Sequence, residues 1–213
     1  MKLLDVGCGT GSYALALAEM GYQLKAIDLD AEMISLAESK MKESKVEVDF
    51  YRLEMLHLKE KFKAHSFDGI YIIGNVLVHL KQKEIKGFLE LAAELLKDNG
   101  KIFIQIVNYY RILELNLDGL PTIYSKDDSV RFERNYEHDE SENIIHFKTR
   151  LIDHFDDRIL SKNEIELYPL CKSELEDYLK EAGFKVDELY GSPHGDQYRE
   201  LNSIPLILGA QKK

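Results

Sequence analysis

The chain has 213 residues, 45% of them apolar and 31% charged, with twelve Tyr and nine Phe; these globular values point to one large domain and exclude a chain that is mostly disordered. Lys and Arg number 28 against 38 Asp and Glu, a formal charge of -10 that repels polyanions and argues against nucleic acid as a partner. The longest nearly apolar run, Ile70 to Val78, is broken by Gly74 and Asn75 and falls short of the roughly 20 residues that span a bilayer, so no membrane role is expected.

The first 110 residues read as strand and helix units in alternation. Leu3 to Val6 is a short apolar strand ending in glycines, and Ser12 to Glu19 follows with helix formers. Gln23 to Ile27 is the next strand, ending at an aspartate, before a helical pattern with Met33, Ile34, Ala37 and Met41 on one side. Val46 to Tyr51 and Phe67 to Ile73 are further strands. Gln82 to Leu96 places Ile85, Leu89, Ala92, Ala93 and Leu96 at helical spacing, Gly100 is expected to close that helix, and Lys101 to Asn108 makes a buried strand. Continuous apolar strands separated by helices predict an α/β, Rossmann-like parallel sheet covered on both faces.

Residues 111 to 170 break this rhythm. Val130 to His138, Ile144 to Asp153 and Ile159 to Tyr168 are extended candidates, and Ile145, Phe147, Thr149 and Leu151 follow the two-residue period of a sheet with one covered face. The expectation is a small antiparallel meander laid over the main sheet, an inserted substrate-side or lid excursion within a single domain of residues 1–213. The main pattern resumes with Ser173 as a cap, a helix over Glu174 to Ala182, Gly183 as its stop and a strand from Phe184 to Leu189. Pro205 to Ala210 is the last strand. Residues 190 to 204 contain Gly191, Pro193 and Gly195 and no helical period, so the final strand has no crossover helix and is expected to run antiparallel.

The strongest chemical signal is Leu3-Leu4-Asp5-Val6-Gly7-Cys8-Gly9-Thr10-Gly11. A strand running into closely spaced glycines before a helix lets the backbone turn sharply and a ligand approach it closely. The ordinary dinucleotide fingerprint has glycine at the first, third and sixth loop positions; here the sixth is Ser12 and glycine occupies the fifth as Gly11. Asp28, at the end of the second strand, can accept both ribose hydroxyl hydrogens. This supports an adenosine-type ligand, whether a nicotinamide cofactor or S-adenosylmethionine. Asp30 reads as a helix cap.

At this point the chain resembles the class I S-adenosylmethionine-dependent methyltransferases, small-molecule type. The marks are the acidic glycine motif Asp5 to Gly11, Asp28 after strand two, Glu54-Met55 after strand three, and Phe67-Asp68 leading through Ile70 to Ile73 into Asn75-Val76-Leu77-Val78-His79-Leu80. Gly183-Phe184 and the terminal Pro205 to Ala210 complete it. The resemblance implies a seven-stranded sheet with an antiparallel last strand, and S-adenosyl-L-methionine as cofactor. It implies that Asp5 and the backbone of Gly7, Cys8, Gly9 and Gly11 surround the methionine part and that Asp28 binds the ribose. It places Leu29 and Met33 along the adenine, Glu54 on the adenine amino group, the Met55 amide on a ring nitrogen and Asn75 beside the methionine portion. The usual acid after strand three is aspartate, so Glu54 departs from the pattern by one methylene.

The reaction so implied is an in-line displacement at the sulfonium methyl, in which the protein aligns donor and acceptor and excludes water. His79, shortly beyond strand four, is the candidate general base, and Tyr13 a candidate wall of the transfer pocket. Gly74-Asn75-Val76-Leu77 lacks the acid or Asn, Pro-Pro and aromatic order of base-methylating enzymes, so the expected acceptor is a small molecule with an oxygen or nitrogen atom. Residues 111 to 170 are the expected source of acceptor specificity. Tyr109, Tyr110, Arg111, Tyr124, Arg131, Arg134 and Tyr136, in or near them, either line that pocket or cover the sheet. His138, His146 and His154 recur every eight residues but occupy different predicted strands and turns, so no metal is expected.

Related methyltransferases carry helices ahead of the first strand, which here begins almost at Met1. The usual N-terminal cover is expected to be missing, with the meander, another subunit or a loop closing the pocket, or with a front segment lacking. Met1-Lys2 leads straight into the first strand with no signal peptide pattern. Cys8 and Cys171 cannot make a disulfide framework, so a cytoplasmic monomer or homodimer is expected. The other readings are a noncatalytic S-adenosylmethionine-binding module and a nicotinamide-dependent oxidoreductase.

Overall fold

In the computed structural model, which describes residues 1–213, β1 (Lys2–Val6), α1 (Ser12–Glu19), β2 (Gln23–Asp28), α2 (Ala31–Glu43) and β3 (Val48–Arg52) form the first half of an α/β sheet. A 3-10 turn (Met55–Glu60) leads to β4 (Phe67–Ile72), a second (Leu77–His79) to α3 (Gln82–Leu95), and then follow β5 (Leu96–Val107) and α4 (Tyr109–Glu114). Strands β6 (Gly119–Tyr124), β7 (Val130–Asp139), β8 (Ile144–Asp153) and β9 (Ile159–Leu167) make a separate antiparallel sheet. The chain returns through α5 (Lys172–Glu181), β10 (Phe184–Tyr190) and β11 (Pro205–Lys212). No helix is long and apolar enough to cross a membrane.

The main sheet has the order β10-β11-β5-β4-β1-β2-β3, with β11 antiparallel to both neighbours. Residues 190–204 supply turns and no crossover helix, which leaves the reversal as the only short connection. Two cores result. One lies under α1 and α2 and joins Ala14, Leu15, Ala26, Ile34, Ala37, Phe50 and Tyr71. The larger one packs β1, β4, β5 and β11 against α3 and α5 and includes Leu4, Val6, Ile70, Ile72, Phe88, Leu89 and Leu179. Successive residues of a strand face opposite sides, so Leu4 and Val6 go to the second core while Asp5 between them faces the first.

Four local expectations are corrected. Gly100 does not close the helix: α3 ends at Leu95, Leu96 is extended and pairs with Phe67, and a register shift then carries Asn99 (φ 60) and Gly100 as an irregularity within β5. Ser173 is not the cap of α5. Cys171 takes that place with no side-chain hydrogen bond, because Leu170 and Leu175 are both fully buried and start the helix directly behind Leu170. The meander does not lie across the main sheet. One end of it, Tyr136, Ile145 and Leu167, enters the larger core, and the Tyr168 N–H bonds the Val78 carbonyl at 2.8 Å. Its far end stands out in solvent, with Phe155 78% exposed. The alternation in β8 also flips, since Ile152 is buried beyond a register shift that follows Leu151.

Candidate functional site

Asp5, the glycine loop and Asp28 are brought together because β1 lies between β2 and β4. The register sets Asp5 beside Ala26 on one side and Tyr71 on the other. The Gly7 and Cys8 N–H groups both bond the Ile27 carbonyl at 2.9 Å, which folds the loop over the end of β2. A methyl group on Gly7 would stand 2.5 Å from a Val76 methyl carbon. Gly11, at φ 73, caps α1, and a Cβ there would meet Phe50 Cζ at 2.8 Å and Ala37 Cβ at 2.9 Å. Gly9 differs, since nothing lies within 4 Å of where its Cβ would be. The loop is therefore packed from behind at two glycines and open in front at the third.

Asp28 organises the rim. Its Oδ2 accepts the Gly9 N–H at 2.7 Å and its Oδ1 the Asp30 N–H at 2.9 Å, which leaves a lone pair on each oxygen for a diol. Asp30 caps α2 through the Glu32 and Met33 N–H groups. Leu29 is 63% exposed beside Asp28, with its carbonyl held by Arg52 Nε at 3.2 Å. Met33, Glu54 and Met55 are half-buried along the same rim, Met55 leaning on the larger core. The Glu54 carboxylate has His57 Nδ1 at 3.7 Å as its neighbour.

Asp5 is 3% exposed, and its Oδ2 and the neighbouring Tyr71 hydroxyl are both buried without a hydrogen-bond partner. Burial raises the Asp5 pKa to about 7; the nearby Tyr71 hydroxyl opposes the shift and the Asp28 charge adds to it. Burial and both carboxylates push the Cys8 thiol up to about 12, so it stays protonated. An acid with a raised folded-state pKa binds protons in the fold that it has lost in the unfolded chain. Between about pH 4 and 7 its contribution to stability therefore falls as pH rises, by an amount on the order of 4 kcal/mol in all. The expected result is that Asp5→Asn gains on the wild type as pH rises from 5 to 8, measured as the difference in urea midpoint. A difference that does not change with pH would show that Asp5 is ionised in the free fold.

Asn75 is not free to reach a ligand with its whole amide. At φ 68 its Oδ1 accepts the Val107 N–H at 2.9 Å and its Nδ2 donates to the Tyr109 hydroxyl at 2.8 Å, so the side chain fastens β4 to the end of β5, and its own N–H bonds the Gln105 carbonyl at 3.2 Å. His79 ends the second 3-10 turn, exposed and with no carboxylate within ion-pairing distance; partial desolvation lowers its pKa.

The aromatic and basic residues of the excursion cover and brace the fold. Tyr109 and Tyr136 are core residues, Arg111 Nε holds the Leu201 carbonyl at 3.1 Å, and Arg134 holds that of Pro121 at 2.6 Å. Arg131 pairs with Glu133 and Asp157, Tyr124 stacks edge-on against His154, and His146 Nδ1 lies 3.3 Å from Glu164. A cavity of about 1030 Å³ opens instead between Tyr13, Ile73, Phe103 and Gln105 and the segment 190–207, and none of its lining comes from 111–170. Two further residues had no signal in the sequence. Lys40 of α2 ties the loop through Thr10 Oγ1 at 2.6 Å, and Gln105 Oε1 accepts the Gly74 N–H at 2.7 Å; only tertiary contact brings either to the site.

A parallel sheet with a glycine loop at its switch point and an acid after the next strand defines an α/β enzyme that binds an adenosine-type cofactor. A family model described as a methyltransferase domain matches residues 3–100. A putative methyltransferase of Geobacillus sp. (strain WCH70) is 30% identical over 193 residues, 88% of this chain and 75% of its own length. A ubiquinone biosynthesis O-methyltransferase of Xanthomonas axonopodis pv. citri is 35% identical over 107 residues, 50% of this chain and 43% of that one. The S-adenosylmethionine-bound amino pentose methyltransferase CalS10 of Micromonospora echinaspora has the same fold, with a TM-score of 0.76 at 16% identity over 100% of this chain and 83% of that one. The chain belongs to the S-adenosylmethionine-dependent methyltransferases of class I, and its cofactor is S-adenosyl-L-methionine. The residues present fit that group: open space at Gly9, free lone pairs on Asp28 and the orphaned oxygen of Asp5.

Proposed function

We propose that the chain methylates an oxygen or nitrogen atom of a small molecule by direct in-line transfer. The observation that carries this is the cavity beside Tyr13, whose volume of about 1030 Å³ lies just above the roughly 300–1,000 Å³ of small-ligand sites. The relative named as a ubiquinone biosynthesis O-methyltransferase supports an oxygen acceptor.

When bound, the cofactor supplies an activated sulfonium methyl with a neutral thioether as leaving group. Asp28 holds the ribose hydroxyls, and Leu29 and Met33 flank the adenine. Glu54 accepts from the adenine amino group and the Met55 N–H meets a ring nitrogen. Asp5, Cys8 and the main chain at Gly7, Gly9 and Gly11 surround the methionine part, with the Asn75 main chain beside it. Tyr13 shapes the wall between loop and cavity. The chain's work is alignment and exclusion of water, which converts a bimolecular displacement into an oriented one. Two free cysteines support a reducing, cytoplasmic setting, with the chain as monomer or homodimer.

His79, which is not in the lining of that cavity, takes the acceptor's proton where the acceptor extends past the glycine loop toward the second 3-10 turn. Its lowered pKa keeps the imidazole neutral at pH 7 and ready to accept. His79→Gln is expected to lower kcat by roughly 10²-fold with cofactor affinity unchanged, and to abolish an acid limb that lies below the ordinary imidazole range. An unaltered kcat and pH profile would return His79 to the surface. The reading as a whole is tested by calorimetry with S-adenosylmethionine, S-adenosylhomocysteine and a nicotinamide cofactor, followed by labelled-methyl transfer to a panel of phenols, amines and hydroxy acids. Selective binding of the first two with transfer to a panel member is expected. Transfer to none of them, or only to protein or nucleic acid, would overturn the acceptor class.

A further inference from the structure

Seven arginines occur in the chain, and the guanidinium of Arg199 alone has no protein acceptor. Arg52, Arg111 and Arg134 bond main-chain carbonyls, and Arg131, Arg150 and Arg158 pair with carboxylates. Arg199 is exposed and lines the cavity beside Tyr13 with Ser192, Asp196, Asn202 and Ser203. In a chain with ten more acids than bases, an arginine left without an acid in a ligand-sized cavity is a site for an external oxyanion, since its planar fork matches such groups.

The segment that presents it is built rigidly. Asn108, 2% exposed at the end of β5, donates from Nδ2 to the carbonyls of Glu200 and Ser203 at 2.7 and 2.9 Å, and accepts the Tyr198 hydroxyl at 2.9 Å. Its own N–H bonds the Ile204 carbonyl at 2.9 Å. The Arg199 N–H bonds Ser203 Oγ at 2.9 Å and the Ser203 N–H returns to the Arg199 carbonyl at 2.9 Å, closing a turn on the residue itself. Gly191 is buried against Ser203, whose Oγ would stand 2.1 Å from any Cβ placed there. The backbone of Arg199 is thus fixed from both flanks before any ligand arrives, which lowers the entropy lost on binding.

We infer that Arg199 anchors the acid group of the acceptor, so that the substrate class is a small monoanionic acid whose hydroxyl or amino group is the methylated one. This deepens the proposed function and rests on reading the cavity as the acceptor side. Asp196 lines the same cavity, accepting Ser192 Oγ at 2.5 Å and making no ion pair with Arg199. Its charge opposes a dianion and favours a carboxylate over a phosphate. Arg199 is a specificity residue here, and Asp5, Asp28 and His79 are not among the residues that line its cavity.

The test uses fragments small enough to enter whatever the acceptor's shape. Acetate, inorganic phosphate and acetamide are titrated at constant ionic strength into ¹⁵N-labelled protein holding S-adenosylhomocysteine, and the amides of Ser192, Asn202 and Ser203 are followed. Acetate is expected to shift them saturably, at least tenfold more tightly than phosphate and with no response to acetamide. Arg199→Gln is expected to weaken acetate at least tenfold and Arg199→Lys to fall between. Cofactor affinity by calorimetry is expected to be the same in all three proteins. An absent or non-saturable acetate response, tighter binding of phosphate, or an unchanged response in Arg199→Gln would each overturn the inference. Failure of the wild type to bind S-adenosylhomocysteine in the same calorimetry would strike the cofactor assignment instead, so the two failures are distinguishable.

Discussion

Asp28→Ala is expected to weaken S-adenosylmethionine binding by roughly 10- to 100-fold, the loss that follows from removing hydrogen bonds to a charged group, about 1.5–3 kcal/mol. The carboxylate serves two sets of partners at once. Its oxygens already hold the Gly9 and Asp30 N–H groups, so the substitution both removes ribose acceptors and releases the loop. The two effects separate in a double-mutant cycle that pairs the substitution with a cofactor analogue lacking a ribose hydroxyl. If Asp28 meets the ribose, the analogue loses less than the natural cofactor on going to the variant. Calorimetry that finds natural-cofactor affinity unchanged in Asp28→Ala would sink the assignment.

The second large effect is a contrast between two glycines of the same loop. Gly11→Ala forces a left-handed alanine, about 1–2 kcal/mol, and overpacks against Phe50 and Ala37, typically about 1–3 kcal/mol more. Against a usual total stability of about 5–15 kcal/mol, this variant is expected to show a clearly lower urea midpoint. Gly9→Ala meets no protein atom within 4 Å, so its midpoint falls only by the backbone strain. It is nonetheless expected to lose cofactor affinity, because the new methyl group enters the space left for the ligand. Equal midpoints for the two variants, or Gly9→Ala binding cofactor as the wild type does, would contradict this division between a packed and an open glycine.

Much of the sheet was legible because its strands carry apolar runs bounded by glycine, aspartate or asparagine; β1 and β4 are buried over most of their length, whereas β5 is covered on one face only, with Ile102, Ile104 and Ile106 buried and the alternating Phe103 and Gln105 lining the cavity. Helix α1 and strand β8 have the bounds that periodicity predicts. Strand β6 was not legible: Pro121 interrupts it, its pairing with β7 carries a register shift, and most of its residues are exposed. Helix α4 has six residues, too few for a 3.6-residue period to register. The cap of α5 was misplaced because burial of Leu170 and Leu175, a tertiary effect, outweighs the preference for serine at a helix start.

The same division runs through the site. Spacing alone determined the glycine loop, the acid after β2 and the antiparallel last strand, because each depends on neighbours in the chain: a tight turn, a strand end, a connection too irregular to cross over. Tertiary structure decided what those residues have left to offer. Asn75 spends its amide on Val107 and Tyr109, Asp5 loses its solvent to Tyr71 and the core under α1, and the meander's arginines are consumed by carbonyls and carboxylates. It also decided that the cavity is walled by 190–207 and not by the excursion. Which polar groups are satisfied internally and which remain open to a ligand depends on contacts between residues far apart in the chain, and no local pattern encodes those.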